Sequence, residues 1–77
     1  MFNPGNMAET NNIIDGILAE IDRVRELITE YESLPGGAGA FGAMMMKQSI
    51  ERGKRAISSG DAIEALRAYA DLQGHTG

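Results

Sequence analysis

The chain has 77 residues, no cysteine, a single histidine near its C-terminal end and a formal net charge of −4. That length allows one domain and only a marginal core, and the missing cysteine removes disulfides and thiolate metal sites; oligomerisation is the remaining route to stability, so a homo-oligomer is expected. The negative balance argues against nucleic acid, and no apolar run reaches the roughly 18–20 residues of a bilayer span.

Residues 1–6, within "MFNPGNMAET", lack the basic and apolar stretches of a signal peptide, so a cytoplasmic protein with a loose N-terminus and no membrane contact is expected. Asn6-Met7-Ala8-Glu9 reads as a capping box and predicts a helix over 7–33, its start defined to within a turn because Asn11 and Asn12 offer a later one. Apolar residues then recur at helical spacing from Ile14 to Leu34. Written as heptads, Ile14, Ile21 and Ile28 take one core position and Ile17, Val24 and Tyr31 the other. A helix of that length spans roughly 40 Å. Nothing else in the chain matches it, so these six residues are expected to form an oligomer seam.

Pro35-Gly36-Gly37 stops the helix, and 35–39 form a glycine-rich turn. The second helix is predicted over 40–58, with Met46, Ile50, Gly53 and Ile57 on one stripe and Gly60 as its stop. Gly53 costs about 1 kcal/mol relative to alanine inside a helix; a close helix crossing would explain it, and plain tolerance of the glycine is the alternative. Met44, Met45 and Met46 cannot all face one core, because successive helical residues point about 100° apart. Asp61-Ala62-Ile63-Glu64 caps a third helix over 62–73, with Ile63, Leu66, Tyr69, Ala70 and Leu72 as its apolar face, and 74–77 form a loose tail. No window alternates as a strand does. The fold is therefore all-α: one long N-terminal helix with two shorter helices packed against it, in a helical-bundle oligomer.

Gly37-Ala38-Gly39-Ala40-Phe41-Gly42 fits the spacing of a dinucleotide-binding turn, but no strand feeds it, and the residue after Gly42 is Ala43 where a phosphate loop needs lysine. What remains is the N-terminus of a helix, which attracts anions. On that reading Gly37, Gly39, Gly42, Lys47 and Arg55 hold a phosphorylated ligand, and Phe41 or Tyr69 stacks a base.

Charge is unevenly distributed. Residues 1–35 carry seven acids against Arg23 and Arg25, whereas 41–59 carry Lys47, Arg52, Lys54 and Arg55 against Glu51. An acidic helix lying beside a basic one accounts for this. The outer acids Glu20, Asp22, Glu26 and Glu30, with Met44 and Met45, are the candidate partner-binding residues. No catalytic residue, metal site or cofactor is expected: there is no cysteine, His75 stands alone, and Ser49, Ser58 and Ser59 have no base to activate them as nucleophilic catalysis requires.

The segment "LPGGAGAFGAMMMKQSIERGKRAISSGDAIEALRAYADLQ", Leu34 to Gln73, resembles short, uncharacterised helical proteins of tailed phages and prophages. The resemblance rests on the PGG turn, the "FGAMM" helix start and the "SGD" break. It implies the cytoplasm of a host cell and either of two activities: blocking a host protein, or sequestering cyclic nucleotides of host immune signalling. The leading expectation is a non-enzymatic helical oligomer that binds a protein partner and inhibits a host function. The alternative is a binder of a phosphorylated ligand such as a cyclic nucleotide at the glycine-rich loop. A structural coiled-coil adaptor is the second alternative.

Overall fold

A computed structural model describes residues 4–76, with side chains from Asn12 onward. Three helices, α1 (Pro4–Glu32), α2 (Ala40–Ser59) and α3 (Ala62–Gln73), pack together, and one 3-10 turn, Pro35–Gly37, joins the first two. No strand occurs among the described residues. The all-α expectation holds. Helix α1 begins three residues ahead of the expected Met7, and the Asn6–Glu9 capping side chains lie outside those described.

Helix α1 closes with the Ser33 amide donating to the carbonyls of Thr29 and Glu30, and the Leu34 amide to that of Tyr31. Pro35 has no N–H to extend the series. Gly36 and Gly37 then take φ of 66° and 72°, a region that costs a side-chain-bearing residue about 1–2 kcal/mol, and the chain reverses. Helix α2 returns antiparallel: Gly39 lies against Tyr31, Gly53 against Ile17 and Ile21, and Ile57 near Ile14. Asp61 restarts the chain as α3, its Oδ1 accepting from the amides of Ile63 at 2.9 Å and Glu64 at 3.2 Å. Helix α3 runs parallel to α1, from Ala65 near Ile14 to Leu72 beside Gly53 and Arg23.

The core is one cluster in which Ile17, Ile21, Val24 and Ile28 of α1 meet Ala43, Met46 and Ile50 of α2 and Ala65 and Leu72 of α3. Burying each of the larger side chains is worth about 1.5–3 kcal/mol. This corrects the oligomer seam. Ile17, Ile21, Val24 and Ile28 are buried, and Ile14 and Tyr31 half-buried, by helices of the same chain. The expectation failed because α2 and α3 cover that stripe jointly, which no single helix in the sequence is long enough to do.

A second correction concerns α3. Ala65, Ala68 and Leu72 face inward, Tyr69 is half-buried, and Ile63 and Leu66 point outward. Helix α2 crosses closely at Gly53, where an added Cβ would sit 3.2 Å from Ile17 Cγ2 and 3.3 Å from Leu72 Cδ1. The close crossing expected at Gly53 is therefore present.

Gly39 is tighter still, since an added Cβ would overlap the main-chain carbonyl of Tyr31. Backbone cannot move aside as the end of a side chain can. Gly39→Ala is expected to destabilise the fold by about 2 kcal/mol or more, lowering Tm by roughly 10 °C for a domain of this size. Gly53→Ala should change stability by less than about 1 kcal/mol, because gained helix propensity offsets the crowding. Thermal denaturation followed by circular dichroism distinguishes the two; an unshifted Gly39→Ala melt contradicts the packing described.

Candidate functional site

The hairpin joining α1 to α2 brings together most of the residues singled out at the glycine-rich loop. Tyr31, Glu32, Gly37, Ala40, Ala43, Met44 and Lys47 line an open depression of about 370 Å³. Lys47 Nζ stands 2.8 Å from Glu32 Oε2 across it, both side chains exposed. Each glycine here has a steric role. Gly37 turns the chain, Gly39 admits the carbonyl of Tyr31, and Gly42 lies under the Tyr31 ring, where a Cβ would come within 2.7 Å of two ring carbons. The N-terminus of α2 thus abuts the C-terminal end of α1, and the partial charges of the two helix ends face each other.

Other residues assigned to a ligand lie elsewhere. Arg55 is two turns beyond Lys47 on α2 and shares a shallow depression with it, alongside Met44, Gln48 and Glu51. Tyr69 packs against Gly16 of α1, its ring 3.0 Å from where a Cβ would stand, and belongs to the core edge. The structure therefore gathers Gly37, Gly39, Gly42 and Lys47 but leaves Tyr69 apart. Phe41 points outward and caps the end of the hairpin with three further apolar side chains. Its exposure is 71%, against 45% for Leu34, 46% for Met44 and 41% for Met45, while Met46 turns into the core.

The acidic residues divide. Glu20 is half-buried and holds Arg23 Nε at 2.6 Å, so it serves the fold and not an outer face. Asp22 stands 3.6 Å from Arg25 in an exposed pair. Glu26 and Glu30 are exposed and make no ion pair among the described residues.

Arg23 reveals an arrangement that the sequence did not suggest. Its guanidinium donates to the carbonyl of Leu72 at 2.9 Å and to that of His75 at 2.8 Å. It thereby caps the C-terminal end of α3, where a cation complements the helix dipole. Tyr31 Oη donates to the Thr76 carbonyl at 2.7 Å, and Ser49 Oγ lies 2.7 Å from His75 Nε2. Residues 74–76, expected as a loose tail, are instead tied into the groove beside α1 and α2. The partners are 26 to 52 residues apart, so no local pattern announces them.

The Ser49–His75 contact also corrects the expectation that Ser49 lacks a base. Ser49 is nevertheless buried, with 6% exposure, and no buried side-chain polar atom among the described residues is left without a partner. The contact joins the tail to α2. Among the described residues no three histidine, cysteine or acidic side chains form a group able to hold a metal ion, and no helix is long and apolar enough to cross a membrane. The chain matches no protein-family model, no curated protein and no solved structure.

Arg23→Ala removes both carbonyl contacts. Because the side chain is partly exposed, the expected loss is about 1 kcal/mol. Hydrogen exchange at the Gly74 and His75 amides should accelerate by about fivefold, while the amides of Ile17 and Ile50 remain protected. Arg23→Lys, which keeps the charge but not the two-pronged geometry, should fall between. Unchanged exchange at His75 excludes the clamp.

Proposed function

We propose that the protein is a non-enzymatic helical module that acts by binding another protein through the end of the α1–α2 hairpin. The observation carrying this reading is that Leu34, Phe41, Met44 and Met45, close together in sequence at the end of the hairpin, are all exposed. An apolar group of this size rimmed by charge, here Glu32 and Lys47, is characteristic of an interaction site, and methionine adapts to varied partner shapes. The cluster supersedes the acidic face of α1 as the leading contact, since Glu20 is engaged within the chain. A host protein is the partner class that the resemblance of Leu34–Gln73 implies. Self-association, suggested by the small size of the domain, has to use surfaces other than the buried stripe of α1.

Capture of a partner from extract should be lost by more than about 90% in Phe41→Asp and in Met45→Asp, as truncation of central apolar anchors predicts. Ile63→Asp, equally exposed but on α3, should retain it. Equal capture by all three variants rejects the hairpin end as the contact.

A second reading is supported by the depression that Gly37, Lys47 and Tyr31 share. Lys47, released from Glu32, would bind a phosphate there while the ring of Tyr31 lies along the wall. A cyclic dinucleotide at about a hundredfold excess over Kd adds about 2.7 kcal/mol to stability. The expected thermal shift is several degrees in the wild type and absent in Lys47→Ala. No shift with cyclic nucleotides or pyrophosphate eliminates this reading.

A further inference from the structure

Five of the seven basic side chains are engaged in ion pairs: Arg23 with Glu20, Arg25 with Asp22, Lys47 with Glu32, Lys54 with Glu51 and Arg67 with Glu64. Arg52 and Arg55 are the two that have none among the described residues, and both are exposed on α2. At helical spacing they lie on the same outward face as Phe41, Met44 and Met45, so one stripe runs from apolar to basic along the helix. Helix α1 carries the counterpart. Glu26 and Glu30 are exposed, one turn apart and without an ion pair, and Leu34 is exposed just beyond the helix end.

We propose that the outer face of α2 docks on the outer face of α1 in a second copy of this chain. The proposal rests on the reading of the hairpin end as a contact surface and names its occupant. Charge complementarity sets the partner. In an antiparallel approach Arg55 lies over Glu26 and Arg52 over Glu30, and the same alignment sets Met45 opposite the Pro35–Gly37 turn and extends Phe41 past the end of α1. Antiparallel helices also align their dipoles favourably. The two faces point away from the shared core, so each copy offers one to each neighbour. The contact is heterologous and propagates until it closes into a ring or continues as a filament.

The test uses two charge-reversed proteins, Arg52→Glu/Arg55→Glu and Glu26→Arg/Glu30→Arg, with native mass spectrometry and sedimentation at low and high salt. The wild type should self-associate, more strongly at low salt. Each reversed protein alone brings like charges together and should associate at least about tenfold more weakly. Mixed in equal amounts, the two should recover wild-type assembly, because acidic α2 then meets basic α1. That recovery separates a broken contact from a misfolded protein. A wild type that stays monomeric at all concentrations, or an assembly indifferent to both reversals, overturns the proposal. If the monomer still captures a different protein and Phe41→Asp abolishes capture, the hairpin-end reading survives without it.

Discussion

The contact on which the remaining geometry depends is the one between Gly39 and the main-chain carbonyl of Tyr31. It leaves no space for a side chain and fixes where α2 begins relative to α1. The Tyr31 ring then covers Gly42, so a second point one turn along sets the rotation of α2 about its axis. With register and rotation defined, Gly53 arrives between Ile17 and Leu72, and the groove that receives α3 and residues 74–76 takes its width from that crossing. Tyr31 joins these levels, since its carbonyl, ring and hydroxyl contact Gly39, Gly42 and Thr76 respectively.

Close helix approach has a consequence for the surface. The inward positions of α2 and α3 are dominated by small residues, Ala43, Gly53, Ala56, Ala65 and Ala68, with Met46, Ile50 and Leu72 as the larger exceptions. Several of the largest apolar residues of these helices, Phe41, Met44, Met45, Ile63 and Leu66, are outside. A domain whose interior excludes bulk must place that bulk on its exterior, where it remains available for contact. The ordinary one-way rule, that some apolar surface is always exposed, does not account for a 71% exposed phenylalanine beside two exposed methionines on one helix face.

The all-α class, the helix identities and the Asp61 cap were legible because they rest on local spacing and capping chemistry. Gly53 was legible only as one of two readings, a close crossing or a tolerated glycine, and its contact with Ile17 and Leu72 selects the first. The α1 stripe was correctly read as buried but assigned to the wrong partner, since periodicity tells which face is covered and not by what. Ile63 and Leu66 were misplaced for a related reason: α3 is apolar on two faces, and periodicity does not tell which of them the other helices cover. The clamp of Arg23, Tyr31 and Ser49 on residues 72–76 had no local signal. It joins groups that become neighbours only after three helices have docked.

The charge asymmetry is where sequence and structure inform each other most. An acidic helix beside a basic one would be expected to neutralise across their interface. Among the described residues only Lys47–Glu32 joins α1 to α2; the other four ion pairs are i,i+3 contacts within a single helix. Such local pairs contribute a few tenths of a kcal/mol and do not orient one helix against another. The segregated charge is therefore not consumed in building the hairpin. Because the stripes that dock α1 on α2 are apolar, the charges are displaced outward, Glu26 and Glu30 to the exposed side of α1 and Arg52 and Arg55 to that of α2, where they border Glu64 of α3. Folding thus converts a sequence-level imbalance into two complementary surfaces that a single copy cannot bring together.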